Sequence, residues 1–366
     1  MELLIQPGTG IKPLLDGIDN AEHTVQIVIF RFDRGEIEAA LTRAVRRGVF
    51  VHALVAYTSQ GQGGEQTLRN LEMRLLADGV SVARTATDLV RYHDKLMMID
   101  QKTLYMLGFN YTYIDIERSR CFGIITQKEE WVREALKLFA ADATRQRYTP
   151  ECDTFLVSPG NARHELLKFL HATRRELCIY DGKLTDPDVI RLMQQKAKEG
   201  VDIRIIGAIG KRAAGMKVAA LPMRLHAQTI IRDGEQMFLG SQSLRTLELD
   251  ARREVGVLID DAPIVQKVRE IFEADWNGVK HIMASSAVVA VPELEPAIET
   301  PASALPPVLA VKEAVKEAIK SAILEAIEEA PSAKLVKEAV KEAAREAVHE
   351  VIEQPMAGAS RLQNPA

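Results

Sequence analysis

Histidine, lysine, aspartate and asparagine stand close together in residues 91–110, in an order that suits reaction with an anionic group. The sequence reads H-x-K-x4-D followed by a glycine turn, and its polar members are His93, Lys95, Asp100 and Asn110. Histidine exchanges protons near neutral pH, so an imidazole serves as nucleophile, acid or base. A lysine two residues further along a strand points to the same side. The motif therefore predicts attack on a group whose oxygens Lys95 and Asn110 bind.

A degenerate copy of this motif lies 133 positions downstream, in residues 224–243. Its corresponding residues are His226, Gln228, Asp233 and Ser243. Gln228 keeps a hydrogen-bond donor at the lysine position but loses the positive charge. The same offset relates four further residue pairs, which are Arg120 and Arg253, Gly123 and Gly256, Phe139 and Phe272, and Asp142 and Asp275. This register indicates an internal duplication.

The two motifs resemble those of the phospholipase D superfamily, whose members carry two H-K-D motifs, each usually followed by a G-[GS]-x-N turn. Residues 251–276, ARREVGVLIDDAPIVQKVREIFEADW, are similar to the segment that ends cardiolipin-synthase-like members. The resemblance covers residues 1–280 and leaves out the C-terminal tail. It implies a metal-independent transfer of phosphodiesters.

In that chemistry one imidazole attacks phosphorus to form a phosphohistidine, and the other carries protons. The resemblance implies His93 as the nucleophile and His226 as the general acid and base. The internal alignment places Glu254 opposite Cys121, and we expect Glu254 to orient His226. The same carboxylate would also suit His226 as the nucleophile, so both assignments stay open with His93 favoured. We expect Asp100 and Asp233 to fix the turns that follow the motif strands.

Metal binding fits this motif poorly, because lysine is not a usual ligand and no compact His, Asp and Glu cluster accompanies it. We therefore expect no metal and no other cofactor.

The periodicity predicts an α/β protein made of a duplicated repeat, in which two mixed sheets flanked by helices pack about a pseudo-twofold interface. The predicted repeats span 1–150 (motif 93–110) and 151–283 (motif 226–243). The first repeat carries 19 extra residues before its motif, predicted to form a glycine-rich loop and a helix. The composition and apolar spacing of the C-terminal tail predict a linker at 284–308, amphipathic Ala/Lys/Glu helices at 309–354 and a disordered end at 355–366.

The composition of the chain bears on its binding partners and its cellular location. The formal net charge of −4 gives no overall electrostatic case for nucleic acid. Three cysteines without C-x-x-C spacing favour reduced thiols in the cytoplasm. The N-terminus lacks the features of a signal peptide, and no stretch approaches the roughly 20 apolar residues that span a bilayer. A lipid substrate would be reached by peripheral contact at the inner membrane surface.

Three functions remain open from the sequence. The resemblance to cardiolipin-synthase-like members favours a hydrolase or phosphatidyltransferase acting on phospholipids. A nuclease of the same superfamily is the first alternative, and a catalytically degenerate scaffold, supported by Gln228 and Cys121, is the second. The expected partners are a phospholipid or other phosphodiester substrate and, through the C-terminal helices, a second copy or another protein.

Overall fold

Each half of the chain begins with a strand and a short helix and has a long helix near its end. The computed structural model describes residues 1–57, 64–210 and 215–279 and the backbone of 281–283. The elements of the first half are β1 (Glu2–Gln6), α1 (Lys12–Asp19), β2 (Thr24–Ile29), α2 (Gly35–Arg46), β3 (Phe50–Val55), α3 (Gly64–Ala77), β4 (Ser81–Arg84), β5 (Arg91–Tyr92), β6 (Leu96–Ile99), β7 (Thr103–Leu107), α4 (Tyr113–Arg118), β8 (Ser119–Thr126) and α5 (Glu129–Thr144).

The second half repeats this order, and its described residues contain no counterpart of α3. Its elements are β9 (Phe155–Ser158), α6 (Ala162–His171), β10 (Glu176–Leu184), α7 (Pro187–Lys198), β11 (Asp202–Ile209), β12 (Lys217–Ala219), β13 (Arg224–Leu225), β14 (Gln228–Arg232), β15 (Gln236–Gly240), α8 (Thr246–Asp250), β16 (Arg252–Ile259), α9 (Ala262–Asn277) and β17 (His281–Met283). Residues 210–216 alone connect β11 to β12, whereas α3 lies between β3 and β4. The helix predicted within the insertion is therefore confirmed, and the glycine-rich loop predicted before it falls on residues 58–63, outside the described residues.

The two halves build two mixed sheets with matching strand orders. The first sheet runs β1-β8-β7-β6-β2-β3-β4, and the second runs β17-β12-β11-β10-β14-β15-β16, with β9 also paired to β16. Strands joined by a helix pair in parallel, as in β2 with β3 and β10 with β11. The hairpins β6–β7 and β14–β15 add antiparallel pairs. The predicted α/β fold with two mixed sheets and an internal duplication is confirmed.

Alternation along the strands gives each sheet two apolar faces. Val25 and Ile27 of β2 pack with α1, α2 and α3 in one core, and Leu177 and Ile179 of β10 pack with α6 and α7 in another. The opposite faces of both sheets share a third core with α5 and α9.

Aromatic rings join the halves within the shared core. Phe122 of the first half lies 5.4 Å from Tyr180 of the second, and Tyr180 lies 5.1 Å from Phe272, measured between ring centroids. Such pairs contribute about 0.5–1.5 kcal/mol each beyond their buried area. The shared core therefore fixes the two sheets against each other, and it positions the side chains at the interface between the halves.

No described helix is long and apolar enough to cross a membrane. The linker predicted at 284–308, the helices at 309–354 and the end at 355–366 lie outside the described residues.

Candidate active site

Each motif histidine is carried into the other half by a short strand. β5, which precedes His93, pairs in parallel with β16 of the second half, and the amide of His93 donates to the carbonyl of Arg253 at 2.8 Å. β13, which precedes His226, pairs in parallel with β8 of the first half, and the amide of His226 donates to the carbonyl of Arg120 at 3.0 Å. The two histidines therefore lie at the interface between the repeats.

His93 is oriented by a carboxylate of the second half. Its Nδ1 lies 3.0 Å from both carboxylate oxygens of Glu254, which is fully buried. The ring of Phe30 packs edge-on against the imidazole, with 4.7 Å between centroids. Because Nδ1 is engaged, Nε2 is the nitrogen left for a substrate. Burial and the charge of Lys95 hold the pKa of His93 well below its ordinary value, so the ring is neutral at pH 7.

His226 is oriented by a carboxylate of the first half. Its Nδ1 lies 2.9 Å from Oδ1 of Asp115, which is buried at the start of α4. Burial opposes ionisation of Asp115, but the attraction of His226 and Arg224 outweighs it and holds the pKa of this carboxyl below its usual range. Burial holds the pKa of His226 below its ordinary value, although the attraction of Asp115 opposes the change. A firmly ionised Asp115 therefore favours the imidazolium form of His226.

The pairing expected for Glu254 was wrong, because Glu254 contacts His93 rather than His226. The cause is the exchange of strands: β5 pairs with β16, so Glu254 follows the residue opposite Tyr92 and faces the first motif. Cys121, the repeat-related residue, donates its thiol to the carbonyl of Asp115. Burial raises the pKa of this thiol well above its ordinary value. Asp115, which the sequence analysis missed, supplies the carboxylate that Cys121 lacks.

Lys95 is buried near carboxylates of both halves, with 1% of its surface exposed. Its Nζ donates to the carbonyl of His93 at 2.5 Å. Burial lowers the pKa of Lys95 to about 8, while the nearby carboxylates of Glu254 and Asp115 resist the change. Burial also raises the pKa of Glu254 to about 8, against the attraction of Lys95. The site thus holds a buried ammonium group between carboxylates. A phosphate can reach this ammonium group only through a gap between those carboxylates.

The glycine turn after each motif strand delivers the last motif residue. A Cβ on Gly108 would lie 2.8 Å from the carbonyl oxygen of Phe122 and 3.2 Å from that of Gly240, so only glycine fits. Beyond the turn, the amide and side chain of Asn110 both donate to Oδ2 of Asp115 at 2.8 Å.

Ser243 occupies the place of Asn110 in the second half. Its amide donates to Glu248 at 2.7 Å and its hydroxyl to Asp181 at 2.6 Å. Glu248 is the repeat counterpart of Asp115, but its other oxygen contacts Arg252 and Arg245. The two halves therefore keep the same backbone support and differ in the charges that face the histidines.

The remaining motif residues have distinct positions. Gln228 opens β14, next to Asp181 of β10 in the strand register. Asp100 and Asp233 have positive φ angles of 52° and 56° at the strand ends. Asp100 accepts three backbone amides from residues 22–24, and Asp233 accepts those of residues 174–176. These contacts agree with the structural role predicted for the two aspartates.

Two repeat-related ion pairs clamp the interface around the site. Arg120 of the first half binds Asp275 of α9 through two bonds of 2.8 and 3.0 Å. Arg253 of the second half binds Asp142 of α5 through two bonds of 3.0 Å. Because Arg253 precedes Glu254 directly, its pair also fixes the strand that carries this carboxylate.

One group of potential metal ligands occurs among the described residues, formed by Glu176, Cys178 and Glu273. The guanidinium of Arg204 donates to all three side chains, at 3.1, 3.1 and 2.7 Å. The group is therefore an ion-pair network around Arg204, separate from the two histidines.

The comparison with known families settles the affiliation. The family model described as cardiolipin synthase, PLD-like domain, matches residues 14–143 and 209–276, more than half of the chain. The chain belongs to this phospholipase D-like family. The two matched segments contain both motif histidines and both carboxylates that orient them. Members of the family act on phosphodiester bonds.

Individual relatives are more distant. A mitochondrial cardiolipin hydrolase from Danio rerio is 27% identical over 137 residues, which are 36% of this chain and 58% of that protein. This chain thus matches less than two thirds of the relative's length.

Two solved structures share the fold. A polyphosphate kinase from Porphyromonas gingivalis has a TM-score of 0.65 and 16% identity, covering 76% of this chain and 48% of the other. A phosphatidylserine synthase from Haemophilus influenzae has a TM-score of 0.58 and 12% identity, covering 77% of this chain and 87% of the other. At these identities the likeness concerns the fold alone.

Proposed function

We propose that this phospholipase D-like protein breaks phosphodiester bonds of phospholipids, without a metal, through a covalent intermediate on His93. The observation that carries the proposal is the crossed pairing of His93 with Glu254 and of His226 with Asp115. Two oriented imidazoles at one interface are what a double-displacement reaction at phosphorus requires. The degenerate second motif keeps this arrangement, which favours an enzyme over a scaffold.

The two histidines take different roles because their carboxylates differ. His93 is neutral and presents Nε2, as a nucleophile must. Asp115 is firmly ionised and, against the effect of burial on the pKa of His226, stabilises the imidazolium form that a general acid requires. Glu254, whose pKa is raised, is the weaker partner for a cation.

The reaction proceeds in two displacements. Nε2 of His93 attacks phosphorus, the bond from phosphorus to the leaving oxygen breaks, and His226 gives its proton to that oxygen. Water or an alcohol then loses a proton to His226 and attacks phosphorus, and the P–N bond breaks to release His93. Water gives hydrolysis and an alcohol gives phosphatidyl transfer. The ammonium of Lys95 and the amide of Asn110 stabilise the charge on the non-bridging oxygens.

Two exposed apolar side chains, three and four residues after Asn110, support a lipid substrate; we take them as the rim of the site. Tyr113 and Ile114, at the start of α4, are 51% and 40% exposed. The guanidinium of Arg118 lies 5.9 Å from the centre of the Tyr113 ring. An aromatic and an aliphatic side chain beside an exposed cation suit the boundary between headgroups and acyl chains. The names of the fish relative and of the Haemophilus structure, which concern cardiolipin and phosphatidylserine, agree with this substrate class.

The test compares substrate classes in excess EDTA. We expect the wild type to release headgroup or phosphatidic acid from vesicles that contain cardiolipin or phosphatidylglycerol, and to transfer phosphatidyl groups when glycerol is added. Tyr113→Asp should weaken turnover on vesicles and spare a soluble activated phosphodiester, since only the lipid case needs the rim. Cleavage of single-stranded DNA without action on vesicles would replace the lipid assignment by the nuclease. A strict requirement for a divalent cation would contradict the proposed chemistry.

A further inference from the structure

Arg224 lies in the active site although neither motif includes it. It stands two residues before His226 in extended chain, so the two side chains point to the same side. Its Nη1 contacts Oδ1 of Asp115 and donates to Oγ of Ser119 at 2.7 Å. Oδ1 of Asp115 is also the atom that lies 2.9 Å from His226. Arg224, Asp115 and His226 therefore form a chain of charges at one edge of the site.

Some N–H groups of the Arg224 guanidinium are not used by the described part of the protein. Its Nε and Nη2 groups make no hydrogen bond with the residues that the structure describes. The side chain is 36% exposed, while that of His226 is 14% exposed. Arginine presents its donors in a fixed planar fork that matches phosphate oxygens. One edge of the fork is thus held by the protein and the other is open to a ligand.

The second motif has no positively charged residue at the lysine position. Gln228 stands where the first motif has Lys95 and brings no charge. Around His93 the structure places Lys95, Arg91 and Arg252, whose charges all act on that ring. The charge of Arg224 acts on His226 more strongly than the charge of Lys95 does. In the second half the positive charge beside the motif histidine therefore comes from the preceding strand alone, whereas the first half has Arg91 there and Lys95 in the motif.

We propose that Arg224 binds a non-bridging phosphate oxygen of the substrate and so replaces the lysine missing from the second motif. This inference rests on the proposed phosphodiester chemistry and deepens it. It assigns the substrate phosphate two cations from opposite halves, the buried Lys95 and the exposed Arg224. Arg224 is then a substrate-contacting residue rather than only a support for Asp115.

The experiment measures inorganic phosphate binding by calorimetry, which needs no turnover, together with hydrolysis of bis(p-nitrophenyl) phosphate. The variants are Arg224→Gln, Arg224→Lys, Gln228→Lys and the double variant Arg224→Gln with Gln228→Lys. The matched control is Arg191→Gln on the outer helix α7, where Arg191 is exposed. Circular dichroism melting checks that each variant folds.

We expect Arg224→Gln to weaken phosphate binding about tenfold or more, the scale of a lost charge-assisted contact. Arg224→Lys should retain most of the affinity, and Gln228→Lys should restore it in the Arg224→Gln background, because the charge returns to the motif position. Unchanged affinity in Arg224→Gln would overturn the inference. The inference would also be overturned if Gln228→Lys failed to restore phosphate affinity in the Arg224→Gln background. A lysine at position 228 can supply a charge to the phosphate, but it cannot replace a structural contact between Arg224 and Asp115. Intact phosphate binding without any turnover in the wild type would instead count against the proposed function.

Discussion

Nδ1 of His93 lies 3.0 Å from both carboxylate oxygens of Glu254, a residue 161 positions later in the chain. Asp115 and His226 form the reciprocal contact at 2.9 Å. Each histidine is therefore oriented by the half that does not contain it. Both histidine–carboxylate pairs are thus built from the two halves of one chain.

Replacing Glu254 by glutamine should lower kcat by about 10²–10⁴-fold, the range for loss of acid–base support. Glutamine keeps the shape but replaces one of the two oxygens beside Nδ1 by an NH2 group, which cannot accept the Nδ1–H of His93. Steady-state kinetics on an activated phosphodiester measure the effect. Glu235→Gln, at an exposed residue paired with Arg175, is the matched control. Activity of Glu254→Gln within threefold of wild type would contradict the role given to this carboxylate.

Asp115→Asn should impair turnover, and Cys121→Ala should not. Asp115 supplies the charge that stabilises protonated His226, whereas Cys121 offers only a buried thiol. The loss in Asp115→Asn should be larger for a lipid substrate than for a p-nitrophenyl ester, because a good leaving group needs less help from an acid. Parallel kinetics on the two substrates measure this difference. Equal losses on both substrates, or a loss in Cys121→Ala that matches Asp115→Asn, would refute the assignment.

Binding of a phosphodiester should weaken as the pH rises above about 8. The pKa of Lys95 is about 8, so the lysine is a cation below that pH and neutral above it. Glu254, with a pKa also about 8, becomes an anion over the same range, which acts in the same direction. Affinity for an unreactive phosphodiester, whose own charge stays constant, should fall about tenfold per pH unit once Lys95 loses its proton. Lys95→Met should bind weakly at every pH. A constant wild-type affinity between pH 7 and 9.5 would disprove the dependence on Lys95.

Breaking the Arg253–Asp142 pair should destabilise the fold strongly. Both side chains are buried, so Asp142→Asn leaves the guanidinium without its counter-charge, at a cost of about 3 kcal/mol. The control is Asp16→Asn in the exposed Lys12–Asp16 pair, where solvent screens the interaction and no measurable loss is expected. Urea unfolding gives both free energies. Similar stabilities for the two variants would show that the crossed pairs do not hold the halves together.

The duplication made much of the fold predictable. Because the offset of 133 residues runs from His93 to Asp142, every motif in the first half predicted its counterpart. Apolar runs at 25–30 and 176–180 indicate strands, where β2 and β10 lie, and apolar residues at helical spacing indicate α2 and α7. The extra 19 residues before the first motif predicted α3. These signals are local, or they repeat along the chain, so one sequence is enough to read them.

The pairing of acids with histidines was not predictable in the same way. It depends on β5 and β13 exchanging between sheets, which is a long-range contact that no local pattern encodes. The sequence does contain one overlooked signal, since Asp115 and Glu248 are both acidic and both lie 22 residues after a motif histidine. Arg224 also has a counterpart, Arg91, two residues before His93. Exposure and contacts were needed to distinguish the open Arg224 from the buried Arg91.

The central claim is that one site built from both halves forms a phosphohistidine on His93, and trapping that intermediate tests it most directly. With bis(p-nitrophenyl) phosphate in excess EDTA, the first displacement needs no acid, whereas release from His93 needs His226 as a base. His226→Ala should therefore give a burst of one p-nitrophenol per chain and accumulate a phosphorylated histidine that peptide mass spectrometry locates at position 93. His93→Ala should give neither burst nor label. A label on His226, or continued turnover by His93→Ala, would contradict the account.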